Sequence, residues 1–330
     1  MKKIIVFGAT GNIGAYFVDY CNSNLNKKEF EIVAVGRKNT DFFKKNNIEY
    51  IQCDITNKSD FNLLPADNVY AIVNFTGILP AYIHEFNPNL YVNTNIVGSI
   101  NILEYARKIK ADRVLYTQTW AVQSAYWGKT EILSPTMPKN YLYTGDHAFY
   151  TITKDMIEES MKFYYQEYGI GAFVFRLPNV YLYNPNKSYY VDGIEKKIGY
   201  RYMIDEASKG HDIEMWGNPK SFKDVLYVKD LCQMMYKSMF VNKKIGVYNA
   251  GTGIRTSLKK QIEGIIEVFS PNLKSKIIER PDKSNYNSFV MDITNAKEEL
   301  GYEPKYFYKE YLNDYKKEMT LKRFDELWMK

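Results

Sequence analysis

The sequence predicts an α/β fold, a doubly wound parallel sheet with a smaller C-terminal lobe. Short apolar runs alternate with amphipathic helical segments through the first half of the chain, and a glycine-rich turn follows the first run directly. Runs that are apolar throughout are typical of strands buried on both faces, and their alternation with helices indicates crossover connections in a parallel sheet.

The predicted elements follow in chain order. The strands are Ile4–Phe7, Ile32–Val35, Ala71–Phe75, Val114–Thr117, Phe173–Arg176 and Gly246–Ala250, and the helices are Ile13–Asn22, Ile96–Lys108, residues 257–269 and a tail from about residue 297. Residues 179–221 are rich in Tyr, Asn, Gly and Lys with weak periodicity, which indicates loops. We therefore expect one domain of residues 1–178, to which 224–256 return, and a substrate lobe of 179–223 and 257–330.

Composition excludes several classes of function. The 330 residues are 45% hydrophobic and 25% charged with a net charge of +6, as expected of a globular protein. The sequence has no dense Lys/Arg block of the kind that would indicate nucleic-acid binding, and no apolar segment approaches membrane-spanning length. The three cysteines are widely spaced without a metal-ligand pattern, so we predict reduced thiols, a cytoplasmic protein and no metal.

The glycine-rich turn is the first candidate binding site. Glycines in Gly8-Ala-Thr-Gly11-Asn-Ile-Gly14 would allow a tight turn and let the backbone approach a pyrophosphate at a helix N-terminus. This context predicts a Rossmann-type NAD(P) site; the alternative is a glycine turn without a ligand. The residues expected to contact the cofactor here are Gly8, Thr10, Gly11, Asn12, Ile13 and Gly14.

The end of the second predicted strand bears on the choice of cofactor. An acidic residue there would accept hydrogen bonds from the adenosine ribose, whereas a cation would bind a 2′-phosphate. The sequence has Gly36-Arg37-Lys38, with no acid until Asp41. Arg37 and Lys38 therefore favour NADP, because a guanidinium binds phosphate through paired hydrogen bonds. NAD, with Arg37 stacked on the adenine, is the alternative.

Tyr150 and Lys154 are the candidate acid/base pair. Four positions apart in a helix, they share one face, and a nearby ammonium would favour the phenolate form of tyrosine. Chance can supply this spacing, and a second pair, Tyr183 and Lys187, contains the helix-breaking Pro185. The position of the first pair after the glycine turn supports a catalytic role.

These motifs, in this order, resemble the extended short-chain dehydrogenase/reductase superfamily, NAD(P)-dependent epimerases and dehydratases of nucleotide sugars. The similarity extends along nearly the whole chain and includes the segments Asn95–Glu104, Met291–Lys297 and Leu300–Pro304. It implies a nucleotide-sugar substrate, a homodimer, and a role in the cytoplasmic synthesis of surface polysaccharide.

The resemblance also implies roles for residues outside the motifs. Asp54 and Ile55 would hold the adenine, and the turn of Phe75, Thr76 and Gly77 would flank the cofactor together with Asn95. Lys154 would bind the nicotinamide ribose, and Pro178 would close over the nicotinamide. The residues expected to bind the substrate are Asn179, Trp216, Lys223 and Arg280. Lys223 occupies the place of a family arginine, which implies a softer diphosphate contact because lysine lacks the bidentate fork.

Thr119 resembles the family residue whose hydroxyl binds the reacting sugar oxygen together with the tyrosine; a Thr that only caps the strand end is the alternative. Dehydratases of the family carry Asp-Glu after this residue, but the chain has Trp120-Ala121, so we do not expect dehydration. A 4-epimerase and an NADPH-dependent 4-keto-sugar reductase stay open, as does a non-catalytic dinucleotide-binding protein. His84 and His147 are interpreted as structural or exposed.

Overall fold

The protein, described by a computed structural model for residues 1–191 and 193–329, contains a central sheet of parallel strands. Its seven strands are β1 (Lys2–Phe7), β2 (Phe30–Gly36), β3 (Glu49–Gln52), β4 (Val69–Asn74), β5 (Arg113–Thr119), β6 (Gly171–Leu177) and β7 (Ile245–Asn249). They lie in the order β7-β6-β5-β4-β1-β2-β3, which reverses direction between β1 and β4. Ligands of doubly wound sheets bind where this reversal occurs, at the carboxyl ends of the strands.

Helices cover both faces of the sheet. They are α1 (Asn12–Asn24), α2 (Phe42–Lys45), α3 (Pro88–Tyr91), α4 (Ser99–Lys108), α5 (Ala148–Tyr168), α6 (Gly199–Ser208), α7 (Val228–Ser238), α8 (Leu258–Phe269), α9 (Thr294–Leu300), α10 (Tyr308–Leu321) and α11 (Asp325–Trp328). One apolar core lies between the sheet and α1 and α7, and a second lies between the sheet and α4 and α5. The central strands are buried because both of their faces contact a core.

The C-terminal lobe is built from helices and short strand pairs. The pairs are Val180–Tyr181 with Leu226–Tyr227, Ser188–Val191 with Ile194–Lys197, Ile213–Trp216 with Ile277–Arg280, Phe222–Lys223 with Thr256–Ser257, and Ile132–Leu133 with Val290–Met291. Short 3₁₀ segments cover Lys58–Leu63, Pro80–Tyr82, Trp120–Tyr126 and Pro271–Leu273. Helix α8 contacts both α6 and α10, so the lobe has a helical layer of its own.

The doubly wound α/β fold predicted from the sequence is confirmed. Every predicted strand lies in the central sheet, and Ile245–Asn249 returns to it beside β6, as expected. The sequence analysis missed β3, α2, α6 and α7. It also began the helix before β5 too late, since a continuous helical segment starts at Pro88 and includes a π-helical stretch, Val92–Gly98. All three cysteines are free and buried. Among the described helices, none combines the length and hydropathy needed to cross a bilayer.

Candidate active site

The glycine turn joins β1 to α1 through very close backbone contacts. Gly8 has φ of +78°, and a Cβ on Gly14 would lie 2.1 Å from the carbonyl oxygen of Gly8. The N–H of Gly11 donates to that same oxygen at 2.9 Å, and α1 begins at Asn12 without a side-chain cap. The first N–H groups of α1 therefore have no side chain in front of them, an arrangement that suits a phosphate.

The two cations at the end of β2, Arg37 and Lys38, differ in whether their side chains bond to other parts of the chain. The Arg37 side chain is exposed, whereas the ammonium of Lys38 donates to the carbonyl oxygen of Leu327 at 2.7 Å, next to α11. A Cβ on Gly36 would lie 3.0 Å from Thr10 Oγ1 and 3.2 Å from the hydroxyl of Tyr50. Of the two predicted cations, only Arg37 is thus free to reach a 2′-phosphate without losing an interaction within the chain.

Asp54 and Ile55 follow β3 and lie against the helical segment before β5. The Asp54 carboxylate accepts hydrogen bonds from the N–H and hydroxyl of Thr56, at 2.9 and 2.8 Å. Ile55 fills the space over Gly98, where a Cβ would lie 2.5 Å from its Cδ1, and its carbonyl oxygen accepts from Asn101 Nδ2 at 2.8 Å. These contacts fix the loop that the resemblance assigns to the adenine.

Asn95 connects the turn after β4 with α5. It is buried within the π-helical stretch, and its side-chain oxygen accepts the N–H of Ile78 at 2.7 Å while its amide donates to Thr153 Oγ1 at 3.1 Å. A Cβ on Gly77 would lie 3.4 Å from Asn95 Oδ1 and 3.8 Å from Lys154 Nζ. The structure therefore brings together the turn Phe75–Gly77, Asn95 and Lys154, all of which are predicted to lie beside the cofactor.

Tyr150 and Lys154 lie on the buried face of α5, with 8% and 3% of their surfaces exposed. Lys154 Nζ lies 4.0 Å from the ring centre of Tyr116, a residue of β5, and no carboxylate within the described residues forms an ion pair with it. The Tyr116 hydroxyl in turn donates weakly to the carbonyl oxygen of Lys154, at 3.4 Å. An aromatic face thus takes the position of a counterion for this lysine.

Burial shifts the acidity of both groups. It lowers the pKa of Lys154 to about 7, and it raises the pKa of Tyr150 above its usual value, with a smaller contribution from the phenol of Tyr91. The sequence analysis expected Lys154 to lower the pKa of the phenol; in the chain without ligands, desolvation dominates instead. The ammonium is itself disfavoured in this environment, so it gives the phenolate little support.

Thr119 ends β5, with its Oγ1 accepting the N–H of Ala121 at 3.2 Å. Its N–H donates to the side-chain oxygen of Gln118 at 2.8 Å. The next residue, Trp120, stacks on Trp127 with ring centres 4.3 Å apart and is also 4.2 Å from Phe289. The position that carries an acid in dehydratases is thus occupied by an indole that packs against other aromatic rings.

Pro178 and Asn179 follow the carboxyl end of β6, where Pro178 is buried and Asn179 is exposed. Lys223 lies elsewhere in the lobe, with its ammonium 4.0 Å from the ring centre of Tyr286 and 5.9 Å from that of Tyr181. Burial lowers the pKa of Lys223, and no carboxylate of the described chain pairs with it. A partly buried ammonium that no described carboxylate pairs with is a favourable site for an anion.

Arg280 and Trp216 stand side by side on paired strands. The guanidinium contacts the carboxylates of Glu214, at 2.6 Å, and Asp282, at 3.0 Å, while the indole of Trp216 donates to Glu214 at 2.7 Å. Trp216 is exposed, and Lys283 lies over its ring. The structure brings Trp216 and Arg280 together, but it engages the guanidinium with two acids of the chain.

Both histidines highlighted in the sequence have neighbours in the chain. The ring of His84 packs against Tyr190 with centres 3.9 Å apart, and His147, just before α5, shares a hydrogen bond with Asp146 at 2.7 Å. The ring of His147 is 6.2 Å from that of Tyr150, centre to centre. These contacts agree with the structural interpretation of both residues.

The sequence analysis missed several residues that surround the candidate catalytic groups. They are Tyr91 and Tyr116 beside Tyr150 and Lys154, and Gln118, Glu158 and Arg176 behind Thr119. A signal was available for Gln118 and Arg176, because polar residues in strands that are otherwise buried need partners.

Comparisons with known proteins identify the family of the chain. The sequence model of the NAD dependent epimerase/dehydratase family matches residues 4–251. A putative UDP-glucose 4-epimerase of Methanocaldococcus jannaschii is 26% identical over 315 residues, covering 93% of the chain and 95% of that protein. UDP-glucuronic acid decarboxylase 5 of Arabidopsis thaliana is 26% identical over 323 residues, covering 92% of the chain and 85% of that protein.

Solved structures share the fold. The UDP-glucose 4-epimerase of Thermotoga maritima, solved with UDP-glucose, aligns with a TM-score of 0.76 at 21% identity, over 96% of the chain and 99% of that structure. The UDP-glucuronic acid 4-epimerase of Bacillus cereus, solved with NAD, aligns with a TM-score of 0.71 at 20% identity, over 96% of each chain.

Proposed function

The chain belongs to the NAD-dependent epimerase/dehydratase family, and we propose that it transfers hydride at C4 of a nucleotide-activated sugar, as an epimerase or as a keto-sugar reductase. One observation carries the proposal: Tyr150 and Lys154 are buried together on α5, with Lys154 beside the turn that follows β4. The names of similar proteins, which include UDP-sugar epimerases and decarboxylases, support a nucleotide-sugar substrate.

The residues present fit a nicotinamide dinucleotide. The backbone contacts of Gly8 and Gly14 leave a cradle that any side chain would fill, and α1 starts there without a cap. At the other end of the site, the unpaired ammonium of Lys154 suits the ribose hydroxyls next to the nicotinamide. When bound, the cofactor accepts or supplies the hydride at the sugar carbon.

The protein's own groups handle the proton. In the oxidising direction, the phenolate of Tyr150 takes the hydroxyl proton as the C–H bond breaks; in the reducing direction, the neutral phenol returns it to the sugar oxygen. Thr119 donates its hydroxyl hydrogen to the same oxygen and fixes the orientation of the sugar. Trp120 offers no proton-transfer group, so dehydration lies outside the proposed activity.

The test of this proposal is Tyr150→Phe, with Tyr168→Phe at the exposed end of α5 as the matched control. We expect the first substitution to lower turnover of nucleotide sugars by on the order of 10²–10⁴, the usual contribution of a positioned acid/base, without loss of cofactor binding. The control should keep wild-type turnover. Full activity of Tyr150→Phe would refute the mechanism.

Mass spectrometry of small molecules released from the gently denatured protein distinguishes the two reactions. An epimerase returns the hydride and keeps its cofactor, so NAD or NADP should be released in near-stoichiometric amount, and product should form without net change in absorbance at 340 nm. A reductase consumes NADPH in proportion to product. A protein that binds the cofactor but converts no nucleotide sugar would instead be the non-catalytic alternative.

We propose NADP as the preferred cofactor because Gly36 leaves no acidic side chain at the end of β2 and Arg37 is exposed beside it. Arg37→Asp should weaken NADP binding at least tenfold and leave NAD binding unchanged or stronger, measured by calorimetry. Lys38→Met serves as the control, since its ammonium donates to the chain itself. An unaltered NADP/NAD ratio in Arg37→Asp would contradict the cofactor assignment.

We propose that Lys223 binds the diphosphate of the substrate, because its partly buried ammonium lies beside the rings of Tyr286 and Tyr181 and pairs with no carboxylate of the described residues. Lys223→Met should raise KM for the nucleotide sugar tenfold or more with little change in kcat, since the lost contact is made in ground state and transition state alike. The exposed Lys220 provides the control, Lys220→Met. An unchanged KM in Lys223→Met would remove the assignment.

We also propose a homodimer formed through the exposed apolar side chains of α5 and the segment before α4. Ile152, Met156 and Phe163 lie on the exposed side of α5. Val97 is also exposed and stands two residues before α4, the helix that packs on α5. Met156→Glu should shift the mass measured by light scattering from dimer to monomer. Ile194→Glu, at an exposed apolar residue of the lobe, should leave the dimer intact; a monomeric wild type would refute the proposal.

A further inference from the structure

Three buried polar residues, Gln118, Glu158 and Arg176, form a hydrogen-bonded network behind Thr119. Gln118 and Glu158 are each 1% exposed and Arg176 is 3% exposed, and they come from β5, α5 and β6 respectively. Gln118 Nε2 donates to Glu158 Oε2 at 3.3 Å, and Arg176 Nη2 donates to Glu158 Oε1 at 3.3 Å. Arg176 Nη1 donates further to the carbonyl oxygen of Pro135 at 3.1 Å.

The chemistry of Glu158 determines which way the Gln118 amide faces. An ionised carboxylate only accepts hydrogen bonds, so the NH₂ of Gln118 must point toward it. The side-chain oxygen of Gln118 must then point the opposite way, where it accepts the N–H of Thr119 at 2.8 Å. The Glu158 carboxylate also forms a buried ion pair with the Arg176 guanidinium, and the ammonium of Lys139 lies 3.9 Å away.

The three residues also connect the segments that carry the candidate catalytic groups. Gln118 and Arg176 are paired in register across β5 and β6, so their side chains lie on the same face of the sheet. Arg176 stands two residues before Pro178, and Glu158 stands one helical turn after Lys154. A shift of any of the three segments would break a hydrogen bond of the network.

We propose that Gln118 is a positioning residue. Its amide, which Glu158 and Arg176 orient, fixes Thr119 relative to Lys154 and to the segment Arg176–Pro178, which the resemblance places over the nicotinamide. This inference rests on the proposed hydride-transfer function. A network that only stabilised the fold would be an expensive choice, since buried ion pairs are often no better for stability than apolar residues of the same volume. Gln118 itself does not contact the reacting atoms.

The decisive experiment exchanges Gln118 and Glu158 with each other, which leaves the net charge of the network unchanged. Gln118→Glu alone sets two carboxylates against each other and should lower kcat by on the order of 10²-fold, the loss expected when a reacting group is displaced by about 1 Å. The double variant Gln118→Glu/Glu158→Gln restores a donor facing an acceptor at every contact. It should recover kcat to within about fivefold of wild type, with an unchanged dissociation constant for NAD(P).

Gln118→Met separates positioning from stability, because it keeps the volume and removes both hydrogen bonds. We expect kcat to fall tenfold or more with KM and the cofactor dissociation constant near wild type. Gln233→Met, which removes another buried glutamine that bonds to a backbone N–H, controls for the general cost of the substitution. A Gln118→Met variant with a lower melting temperature but wild-type kcat per folded molecule would overturn the proposal.

A measurement independent of turnover keeps the two hypotheses distinguishable. Hydrogen–deuterium exchange of the peptide that contains Thr119 should be faster in Gln118→Met than in wild type and should return to wild-type rates in the exchanged pair. If the wild type converts no nucleotide sugar, the proposed function fails while this exchange result still decides whether Gln118 orders Thr119. Exchange rates equal in all variants would refute the positioning role.

Discussion

The depressed pKa of Lys154 predicts a pH-dependent stability that one substitution should remove. In the unfolded chain this lysine has the ordinary value of 10.5, whereas burial lowers it to about 7 in the folded chain without cofactor. Between these values the unfolded state binds one more proton than the folded state, so stability rises with pH by about 1.4 kcal/mol per unit. From pH 7 to pH 9, the wild type should gain about 2 kcal/mol from this group, because half of the folded molecules still hold the proton at pH 7.

The assay is urea unfolding of the cofactor-free wild type and of Lys154→Met at both pH values. Methionine matches the length of the side chain and can pack against Tyr116 without a charge. The unfolding free energy of the wild type minus that of Lys154→Met should rise by about 2 kcal/mol from pH 7 to pH 9, because all other titrating groups cancel. Lys162→Met, on an exposed face of α5, should show no such movement. A difference that stays constant within about 0.5 kcal/mol would refute the reasoning.

Two further predictions concern the glycine turn and the aromatic ring beside Lys154. Gly14→Ala should abolish NAD(P) binding in a fluorescence titration, because its Cβ would lie 2.1 Å from the oxygen of Gly8, whereas Gly199→Ala, with no atom within 4 Å, should bind as the wild type does. Tyr116→Leu should lower kcat/KM by up to about 30-fold, the equivalent of a desolvated cation–π contact of about 2 kcal/mol to Lys154, whereas Tyr116→Phe keeps the ring and should stay within a few-fold of the wild type. Equal activities of the Leu and Phe variants would remove that role.

The architecture was largely predictable because its strands are buried on both faces. Ile4 to Phe7 are entirely buried in the structure, and a run of this kind can hardly be anything but an interior strand after a short N-terminal start. By contrast, Glu49–Gln52 is a four-residue edge strand of mixed polarity, and the buried face of α6 includes a charged residue, Arg201, so neither segment reads as an apolar run. Elements stabilised mainly by tertiary contacts were the ones missed.

The candidate site divides in the same way. Residues that act through the backbone or within one segment, such as Gly14 or the pair on α5, leave a local pattern that can be read. The Gln118 network joins positions 118, 158 and 176, so its meaning depends on a register between strands that no local pattern encodes. The direction of the acidity shift at Tyr150 was missed for a related reason, since burial depends on the whole fold.

The two cations predicted for the substrate also differ in a way that only the structure reveals. Arg280 already contacts Glu214 and Asp282, so a diphosphate would have to displace two carboxylates from a guanidinium at the surface. Lys223 is partly buried, burial lowers its pKa, and no described carboxylate pairs with it, so a bound anion would offset part of the cost of removing its charge from water. Exposed ion pairs contribute only about 0–1 kcal/mol, so exchanging the partners of Arg280 changes little. We therefore expect the electrostatic gain on diphosphate binding to arise chiefly at Lys223, whereas Arg280 and Trp216 are both engaged by Glu214.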